Sequence, residues 1–340
     1  MFPYIVADVG GTNARFGLVT GKDATTAGFE ICERRSLDGS AFDSFESCLH
    51  AYLASLGSIR PVSACIAIAG PISGDRVLMT NRNWQFSRSG LRQRLQLDRL
   101  EVVNDFAALA YSTLYIGASD LRIIQDGVSV SDTPRAIVGP GTGLGVAALV
   151  PTPVGWQPVP GEGGHIAFSP PKGKEAQILE IVRQEVDHVS AETLLSGPGL
   201  TRLHHALAVA HGREVESLTA EQITTRAIAD TDATCRETLG VFCHLLGSIA
   251  GDFALIYGAR GGAYIGGGIL PRIEGILAES TFLEGFQSKG LMSGYLAHIP
   301  IYLIKGDSPA LIGAAGWLYD QQRTDKRGTQ TGYHCHEKRD

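Results

Sequence analysis

What the sequence lacks already narrows the function of this protein. Its 340 residues carry no surplus of basic side chains, since 29 Lys and Arg stand against 35 Asp and Glu, a formal net charge of -6. Such a chain has no general attraction for the phosphate backbone of nucleic acids or for an anionic membrane surface. We therefore expect no nucleic acid and no membrane among its partners.

The sparse cysteines and the start of the chain favour a cytoplasmic protein. None of the six cysteines forms a Cys-x-x-Cys pair and several lie in apolar stretches, which is typical of reduced, buried thiols and predicts no disulfide. Asp8 follows only a handful of apolar residues, so we expect no signal peptide. The most apolar stretch, residues 239–257, contains His244 and Asp252, which favours a buried helix over a membrane span.

Glycine is plentiful, at 42 residues, but the two familiar glycine motifs of nucleotide-binding proteins are missing. The glycine turns do not match G-x-x-x-x-G-K-[ST], and residues 139–145 do not match G-x-G-x-x-G. These mismatches argue against a P-loop protein and against a Rossmann fold. A phosphate site in this chain therefore needs a different clamp.

The chain repeats one glycine-centred pattern. Residues 5–19, IVADVGGTNARFGLV, and residues 136–150, AIVGPGTGLGVAALV, each place a Gly-Thr turn between two apolar runs. Aligning Gly11 with Gly141 matches the two turns, as expected for two related α/β halves that face a cleft. A single glycine turn most often only reverses the chain, whereas two similar turns favour the wrapping of phosphate oxygens by backbone N–H groups.

The rest of the chain alternates short apolar runs with segments of helical spacing, which predicts a mixed α/β protein. Strands are expected at residues 4–9, 14–19, 62–68, 100–103, 262–265 and 299–304, and helices at 43–56, 174–185, 234–257 and from 308 to about 320. We divide the chain into a small α/β domain, residues 1–108 with 308–322, a large α/β domain, residues 109–307, and a mobile polar tail, residues 323–340.

Two acidic residues lie where predicted strands end. Asp8, beside the first glycine turn, either stabilises that turn or holds Mg²⁺ through water, because magnesium prefers carboxylates and keeps several of its waters. Asp105 follows a strand and precedes a helix, which is typical of a helix N-cap. With Asn104 beside it, the carboxylate is also suited to accept a proton from an attacking hydroxyl, as a general base.

Three further polar residues have ordinary explanations when each is taken alone. Glu162 and His165 lie in a glycine-rich loop, where solvated side chains are common, and Glu192 lies in the first turn of a predicted helix, where an acid is favoured. Together with Asn104 and Asp105 they form a set of donors and acceptors suited to a polyhydroxylated ligand. A sugar is therefore the natural candidate.

Six segments in this order resemble the bacterial glucokinase family of the hexokinase and actin-like superfamily, over about residues 4–320. They are ADVGGTNARFGLV, VVNDFAA, GPGTGLGV, PGEGGH, HVSAETLLSGPGL and GGGILPR. The resemblance implies a two-domain α/β fold of the actin-like and hexokinase (ribonuclease H-like) type with a cleft between the domains. It also implies ATP-dependent phosphorylation of glucose on its 6-hydroxyl, the first step of glucose use in glycolysis, with Mg²⁺ and in a homodimer.

The resemblance also assigns roles to individual residues. It implies that Asp105 is the general base. It also places Asp8 at the first phosphate turn, where this carboxylate is suited to hold Mg²⁺ through water. The sugar ligands that it implies are Asn104, Asp105, Glu162, His165 and Glu192. The implied nucleotide ligands are Asp8, Gly10, Gly11, Thr12 and Asn13 at the first phosphate turn, Gly141, Thr142 and Gly143 at the second, and Gly266, Gly267 and Gly268 near adenosine.

The chain departs from the family pattern at two places. Pro140 occupies a position where a small residue is usual, and proline removes one N–H donor beside the second turn. The tail beyond Asp320 is longer than the family pattern requires. The first departure is expected to weaken nucleotide binding if that donor contacts phosphate.

Two other functions stay open at this point. A kinase for another hexose or for an N-acetylhexosamine would use the same polar residues. A non-catalytic sugar-sensing regulator would share the fold, although no helix-turn-helix or basic extension precedes residue 4 and no cysteine cluster resembles a structural zinc site. If the chain is a kinase, glucose is expected to bind first and to draw the domains together, which expels water from the reaction.

Overall fold

The computed structural model describes residues 2–24, 26–70, 72–79, 82–169, 173–306 and 308–331. These residues form two compact units, one drawn from 1–117 and 307–340 and the other from 118–306. The units are described separately below. The domain boundaries inferred from the sequence stay a prediction.

The first unit is built on a five-stranded mixed sheet. Its elements up to residue 112 are β1 (Tyr4–Val9), β2 (Asn13–Lys22), β3 (Phe29–Asp38), α1 (Phe45–Ser55), β4 (Ser63–Ile68), β5 (Arg76–Leu78), β6 (Gln85–Ser87), α2 (Arg88–Arg94), β7 (Arg99–Asn104) and α3 (Asp105–Ser112). The sheet order is β3-β2-β1-β4-β7, with β5 and β6 forming a separate two-stranded ribbon. Strands β1, β2 and β3 are antiparallel, whereas β1, β4 and β7 run parallel.

The parallel strands end together, which matters for the polar residues that follow them. Val9 pairs with Ile68, and Ile68 pairs with Asn104, so the carboxyl ends of β1, β4 and β7 lie at one edge of the sheet. Strand β1 is buried along nearly its whole length, because both of its faces pack against apolar side chains. This burial explains why its sequence is a continuous apolar run broken only by Asp8.

The second unit contains a six-stranded sheet and most of the helices. Its elements are β8 (Leu121–Gln125), β9 (Arg135–Pro140), β10 (Leu144–Thr152), β11 (Gly155–Gly161), α4 (Lys174–Arg183), α5 (Ala191–Leu194), α6 (Gly197–Ala210), α7 (Ala220–Ile228), α8 (Ala233–Tyr257), β12 (Ala263–Ile265), α9 (Glu274–Glu279), α10 (Phe282–Gln287), α11 (Ser293–Leu296) and β13 (Ile301–Ile304). The sheet order is β11-β10-β9-β12-β13-β8.

Five strands of this second sheet repeat the order of the first. Strands β9, β10 and β11 form an antiparallel meander, and β9, β12 and β13 run parallel, as β1, β4 and β7 do in the first unit. Strand β8 is added at the edge, antiparallel to β13. The repeat seen in the two glycine hairpins therefore extends to five strands of each sheet, which confirms the expectation of two related α/β halves.

Helix α8 is the apolar segment that the sequence singled out as a buried helix. By length and composition it could cross a membrane, but 67% of its most apolar 18-residue window is buried inside the unit. The Asp232 carboxylate caps its first turn, and Gly258, with φ of 59°, ends it in the left-handed conformation. The expectation of a core helix is confirmed.

The last helix, α12 (Pro309–Thr331), belongs to the first unit and packs on α3. Gly313 allows this close packing, since a Cβ there would lie 1.7 Å from the Ala108 carbonyl oxygen. The prediction that this helix ends near Asp320 was wrong. The polar residues that follow are mostly good helix formers, and extending an established helix is easier than starting one. Residues 332–340 of the expected tail lie outside the described residues.

The five cysteines within the described residues are free thiols, and four of them are buried. The sixth, Cys335, lies outside the described part of the chain.

Candidate functional site

The carboxyl edge of the first sheet carries three of the predicted site residues. Asp8 lies one residue before the end of β1, Asn104 is the last residue of β7, and Asp105 begins α3. Because β4 lies between β1 and β7, and neighbouring strands are about 4.8 Å apart, the backbones of β1 and β7 are about 10 Å apart across the sheet. The fold thus places one carboxylate at each of two parallel strand ends on the same edge.

Asn104, not Asp105, is the N-cap of α3. The Asn104 Oδ1 accepts a hydrogen bond from the Ala107 backbone N–H at 3.0 Å, and its Nδ2 donates to the Gly70 carbonyl at 3.2 Å. The N-cap explanation considered for Asp105 is therefore wrong. Both ends of the Asn104 amide are used, so this residue ties the start of α3 to the turn that follows β4.

Asp105 occupies the first position of the helix, where a negative charge interacts favourably with the helix dipole. Its Oδ1 accepts a hydrogen bond from the Phe106 backbone N–H at 2.9 Å. The side chain is only partly buried. A carboxylate in this position is held in direction by the backbone and still has access to a ligand.

Asp8 lies in a drier environment. Its side chain is 16% exposed, and burial raises the pKa of its carboxyl group above the ordinary value of 3.8. The Arg15 guanidinium, 3.4 Å away on the neighbouring strand, opposes that shift. Burial outweighs the interaction with Arg15, so the charge of this carboxylate is incompletely compensated, and a bound cation would stabilise it.

The first turn, residues 10–13, is held from one side by an arginine that the sequence analysis missed. Within the turn, the Gly10 N–H donates to the Asn13 carbonyl at 3.0 Å. The Arg82 Nε donates to the Gly11 carbonyl and its Nη2 to the Thr12 carbonyl, both at 2.6 Å. Arg82 is 70 residues further along the chain and belongs to no recognisable motif, so only the tertiary fold brings it to the turn.

The second turn, residues 141–143, is shorter by one residue. Pro140 pairs with Leu144, and the Gly141 N–H donates to the Gly143 carbonyl at 2.7 Å. In the first turn, Val9 pairs with Ala14 across four residues. Ala14 and Leu144 match in the sequence alignment of the hairpins, so the difference lies on the N-terminal side of the turns.

Glu192 is bound to the second turn. Its Oε2 accepts a hydrogen bond from the Leu144 backbone N–H at 2.8 Å. A Cβ on Gly143 would lie 2.4 Å from the same oxygen, so a larger residue there would displace the Glu192 carboxylate. The Gly197 N–H also donates to the Gly141 carbonyl at 2.8 Å. The segment from Glu192 to Gly197 is therefore hydrogen-bonded to both ends of the second turn.

The loop of residues 162–168 lies against the same segment. The Ala191 N–H donates to the Ile166 carbonyl and the Phe168 N–H to the Val189 carbonyl, each at 3.0 Å. A Cβ on Gly164 would lie 2.3 Å from the Leu144 carbonyl oxygen, so this glycine lets the loop touch β10. The second unit thus brings together the second turn, Glu192 and the loop that carries Glu162 and His165.

The side chains of Glu162 and His165 are exposed. Among the described residues, their backbones make one contact with each other, in which the His165 N–H donates to the Glu162 carbonyl at 3.0 Å. The two side chains are thereby offered to solvent from a loop whose backbone is fixed by hydrogen bonds. Side chains that reach solvent from a fixed backbone are available for contact with a ligand.

The third glycine segment, residues 266–268, also lies beside the second turn. The Gly266 N–H donates to the Val138 carbonyl at 2.9 Å. Gly267 has φ of 88°, and a Cβ there would lie 2.3 Å from the Pro140 carbonyl oxygen. Pro140 therefore makes a close backbone contact with this segment through its carbonyl group. The sequence had drawn attention to Pro140 only because proline lacks an N–H donor.

Comparison with known proteins identifies the family of this chain. The family model for glucokinase matches residues 5–321 of the chain. A glucokinase of Saccharophagus degradans is 44% identical over 318 residues, which cover 94% of this chain and 98% of that protein. A glucokinase of Chromobacterium violaceum is also 44% identical, covering 94% of this chain and 90% of that protein.

Solved structures agree with these sequence matches. The crystal structure of a glucokinase from an Antarctic psychrotroph has a TM-score of 0.87 and 43% identity, covering 94% of this chain and all of that one. A ROK family glucokinase from Streptomyces griseus, solved in complex with glucose and AMPPNP, has a TM-score of 0.63 at 19% identity and shares the fold, with 93% and 99% of the two chains covered. The fold is the actin-like α/β fold that the resemblance implied, and the chain belongs to the glucokinase family.

Proposed function

We propose that this chain transfers the terminal phosphoryl group of ATP to the 6-hydroxyl of D-glucose, with Asp105 as the general base. Family membership supports the reaction, and the observation that carries the role of Asp105 is the division of labour at the start of α3. Asn104 caps the helix there, so the Asp105 carboxylate is not needed for that purpose.

Asp105 would accept the proton of the attacking hydroxyl. Its Oδ1 is oriented by the Phe106 N–H, and the N-terminus of α3 favours its negative charge. Phosphoryl transfer requires little covalent chemistry from the protein, so positioning of this hydroxyl against the phosphate accounts for most of the catalysis. The Asn104 Nδ2 has a second hydrogen, besides the one given to Gly70, which can be donated to a sugar hydroxyl.

We assign the other sugar ligands to Glu192, Glu162 and His165. Glu192 uses Oε2 for the Leu144 N–H, which leaves Oε1 as an acceptor for a sugar hydroxyl. Glu162 and His165 present exposed side chains from the loop that is hydrogen-bonded to the Glu192 segment. Acceptors and donors held in this way favour a ligand that satisfies all of them, because a buried group left without its partner is costly.

We assign the nucleotide to the three glycine segments. Backbone N–H groups of Gly10, Gly11, Thr12 and Asn13, and of Gly141, Thr142 and Gly143, would bind the phosphates, and Gly266, Gly267 and Gly268 would lie near adenosine. The contacts of Gly266 with Val138 and of Gly267 with Pro140 support a common nucleotide site for the last two segments. The Streptomyces griseus protein, solved with AMPPNP, supports ATP as the donor.

The donor set around Asp8 fits Mg²⁺. A desolvated carboxylate oxygen is a hard ligand, and one such carboxylate together with phosphate oxygens and water is a common magnesium environment. Asp8 would hold the ion, through water or directly, beside the first turn. When bound, Mg²⁺ neutralises charge on the triphosphate.

The cellular setting is proposed on more general grounds. The burial of α8 and the free thiols of the described cysteines support a cytoplasmic enzyme. We propose a homodimer from family resemblance.

A coupled assay of ADP release tests the function. We expect turnover with glucose to exceed turnover with mannose, fructose and N-acetylglucosamine. Higher turnover with mannose, fructose or N-acetylglucosamine would identify that sugar, and not glucose, as the substrate. Glucose binding without ADP release would favour a sugar-sensing regulator.

The same assay tests the base. Asp105→Asn keeps the size of the side chain and removes the proton acceptor, so we expect kcat to fall by about 10²- to 10⁴-fold. The lost interaction with the helix dipole should lower the unfolding temperature by no more than about 4 °C. Near-normal kcat in this variant would contradict the assignment.

A further inference from the structure

We propose that Arg82 is a positioning residue for the phosphates of ATP, which it serves by fixing the first turn, residues 10–13. The inference rests on the proposed function of that turn as a phosphate clamp. Arg82 would not touch the phosphates itself. It would act through the two peptide groups whose carbonyl oxygens it binds.

The contact is a two-point grip. The planar guanidinium of Arg82 donates from Nε to the Gly11 carbonyl and from Nη2 to the Thr12 carbonyl, at 2.6 Å each. The Gly39 N–H donates to the same Thr12 carbonyl at 3.0 Å. Charged donors make shorter and stronger hydrogen bonds than neutral ones, so these two carbonyl groups have a well-defined direction.

The direction of the carbonyls sets the direction of the N–H groups. A trans peptide is planar, and its N–H points opposite to its C=O. Because the Gly11 and Thr12 carbonyls point at Arg82, the N–H groups of Thr12 and Asn13 point to the opposite side of the turn. Two consecutive N–H groups aimed the same way form an anion-binding concavity.

Arg82 is itself held in place before any ligand binds. Its guanidinium lies over the ring of Trp84, 4.9 Å from the ring centroid. Trp84 is 5% exposed and donates its indole N–H to the Phe42 carbonyl at 3.3 Å. A Cβ on Gly39 would lie 2.4 Å from the Arg82 Cζ, so the absence of a side chain at Gly39 makes room for the guanidinium.

The contact of Arg82 with the first turn, which is formed before the nucleotide binds, has a kinetic consequence. Without it, the first turn would have to order itself when the nucleotide binds, and ATP would bind more weakly and be placed less accurately. Glucose binding does not depend on the direction of these N–H groups. The effect of losing Arg82 should therefore appear in the KM for ATP and in kcat, with the KM for glucose unchanged.

The test compares Arg82→Ala, Arg82→Lys and a control, Arg76→Ala. Arg76 is exposed on the ribbon of β5 and β6, where it donates to the Gln85 side chain. We expect Arg82→Ala to raise the KM for ATP about 10-fold or more, since small displacements of bound groups have effects of that size. Lysine keeps the charge but not the planar fork, so Arg82→Lys should resemble Arg82→Ala more than the wild type.

Isothermal calorimetry with AMPPNP on the same variants separates this inference from the proposed function. If the wild type phosphorylates glucose and Arg82→Ala and Arg82→Lys both match it in nucleotide affinity and in KM for ATP, the positioning role is refuted while the function stands. A wild type without glucose kinase activity would refute the function, and the calorimetric affinities would still decide the role of Arg82. Equal losses in Arg82→Ala and Arg76→Ala would also overturn the inference, because the effect would then not be specific to the grip.

Discussion

Replacing Glu192 tests whether this residue supports the second turn as well as the sugar. Glu192→Ala leaves the Leu144 N–H without its acceptor, and Leu144 is only 5% exposed. A hydrogen bond to a charged group contributes about 1.5–3 kcal/mol, and for a domain of this size 1 kcal/mol corresponds to about 2–4 °C. We therefore expect the unfolding temperature of Glu192→Ala to fall by about 3–12 °C.

Glu192→Gln separates the acceptor from the charge. The amide oxygen can still accept from the Leu144 N–H, but a neutral hydrogen bond is roughly half as strong, so the fall should be half of that range, about 1.5–6 °C. Glu180→Ala is the control. The Glu180 carboxylate is 69% exposed and faces Arg183 at 3.4 Å, and such surface substitutions usually change stability by less than about 0.5 kcal/mol.

The measurements are differential scanning calorimetry and steady-state kinetics. We expect both Glu192 variants to raise the KM for glucose, whereas only Glu192→Ala should also raise the KM for ATP, because only there does the second turn lose its support. If the unfolding temperature of Glu192→Ala lies within about 1 °C of that of the wild type, the hydrogen bond to Leu144 is not a stabilising contact. If Glu192→Gln loses as much stability as Glu192→Ala, the acceptor is not what holds the turn.

Two further predictions concern the other nucleotide segments. Gly267→Ala forces a side chain into φ of 88° and within 2.3 Å of the Pro140 carbonyl oxygen, so it should lower stability by about 1–2 kcal/mol and raise the KM for ATP. Gly240→Ala in α8, where a Cβ meets nothing within 4 Å, should instead raise the unfolding temperature. A lower unfolding temperature in both glycine variants would contradict the reasoning. Burial raises the pKa of Asp8 above 3.8, so the folded protein holds this proton more tightly than the unfolded chain does. Stability is therefore lost as the pH rises from the pKa of the unfolded chain through the higher pKa of the folded protein. Asp8→Asn should therefore unfold at a higher temperature than the wild type at pH 7 and have reduced kinase activity. The difference in unfolding temperature should shrink as the pH falls towards the ordinary pKa of an aspartate. A difference that does not depend on pH would refute this account.

The sequence predicted local features well where one physical rule dominated. The apolar runs of β1 and β12, the glycine turns between paired strands, and the long apolar helix α8 were all placed within a few residues of their positions in the structure. Periodicity and turn chemistry decide such features over short distances. The end of α12 was misplaced, because polar composition alone does not separate an extended surface helix from a loose tail.

The roles of single polar residues were harder to predict. The sequence offered Asp105 as the helix cap, and the structure gives that role to its neighbour Asn104, since the choice depends on backbone angles at one residue. Arg82 was missed altogether, because its partners at Gly11 and Thr12 are about 70 residues away. The bond between Glu192 and Leu144 was likewise invisible in the sequence.

The sequence by itself determined that the chain is an α/β protein with a repeated hairpin, and its motifs were sufficient to identify the family. Those properties follow from side-chain periodicity, glycine at positions where the backbone must turn, and residue types that recur in order along the chain. Only the tertiary structure decided which carbonyls Arg82 holds, which N–H group Glu192 binds and which residue caps α3. Hydrogen bonds between distant segments depend on distances of a few tenths of an ångström, and these are set by packing of the whole unit.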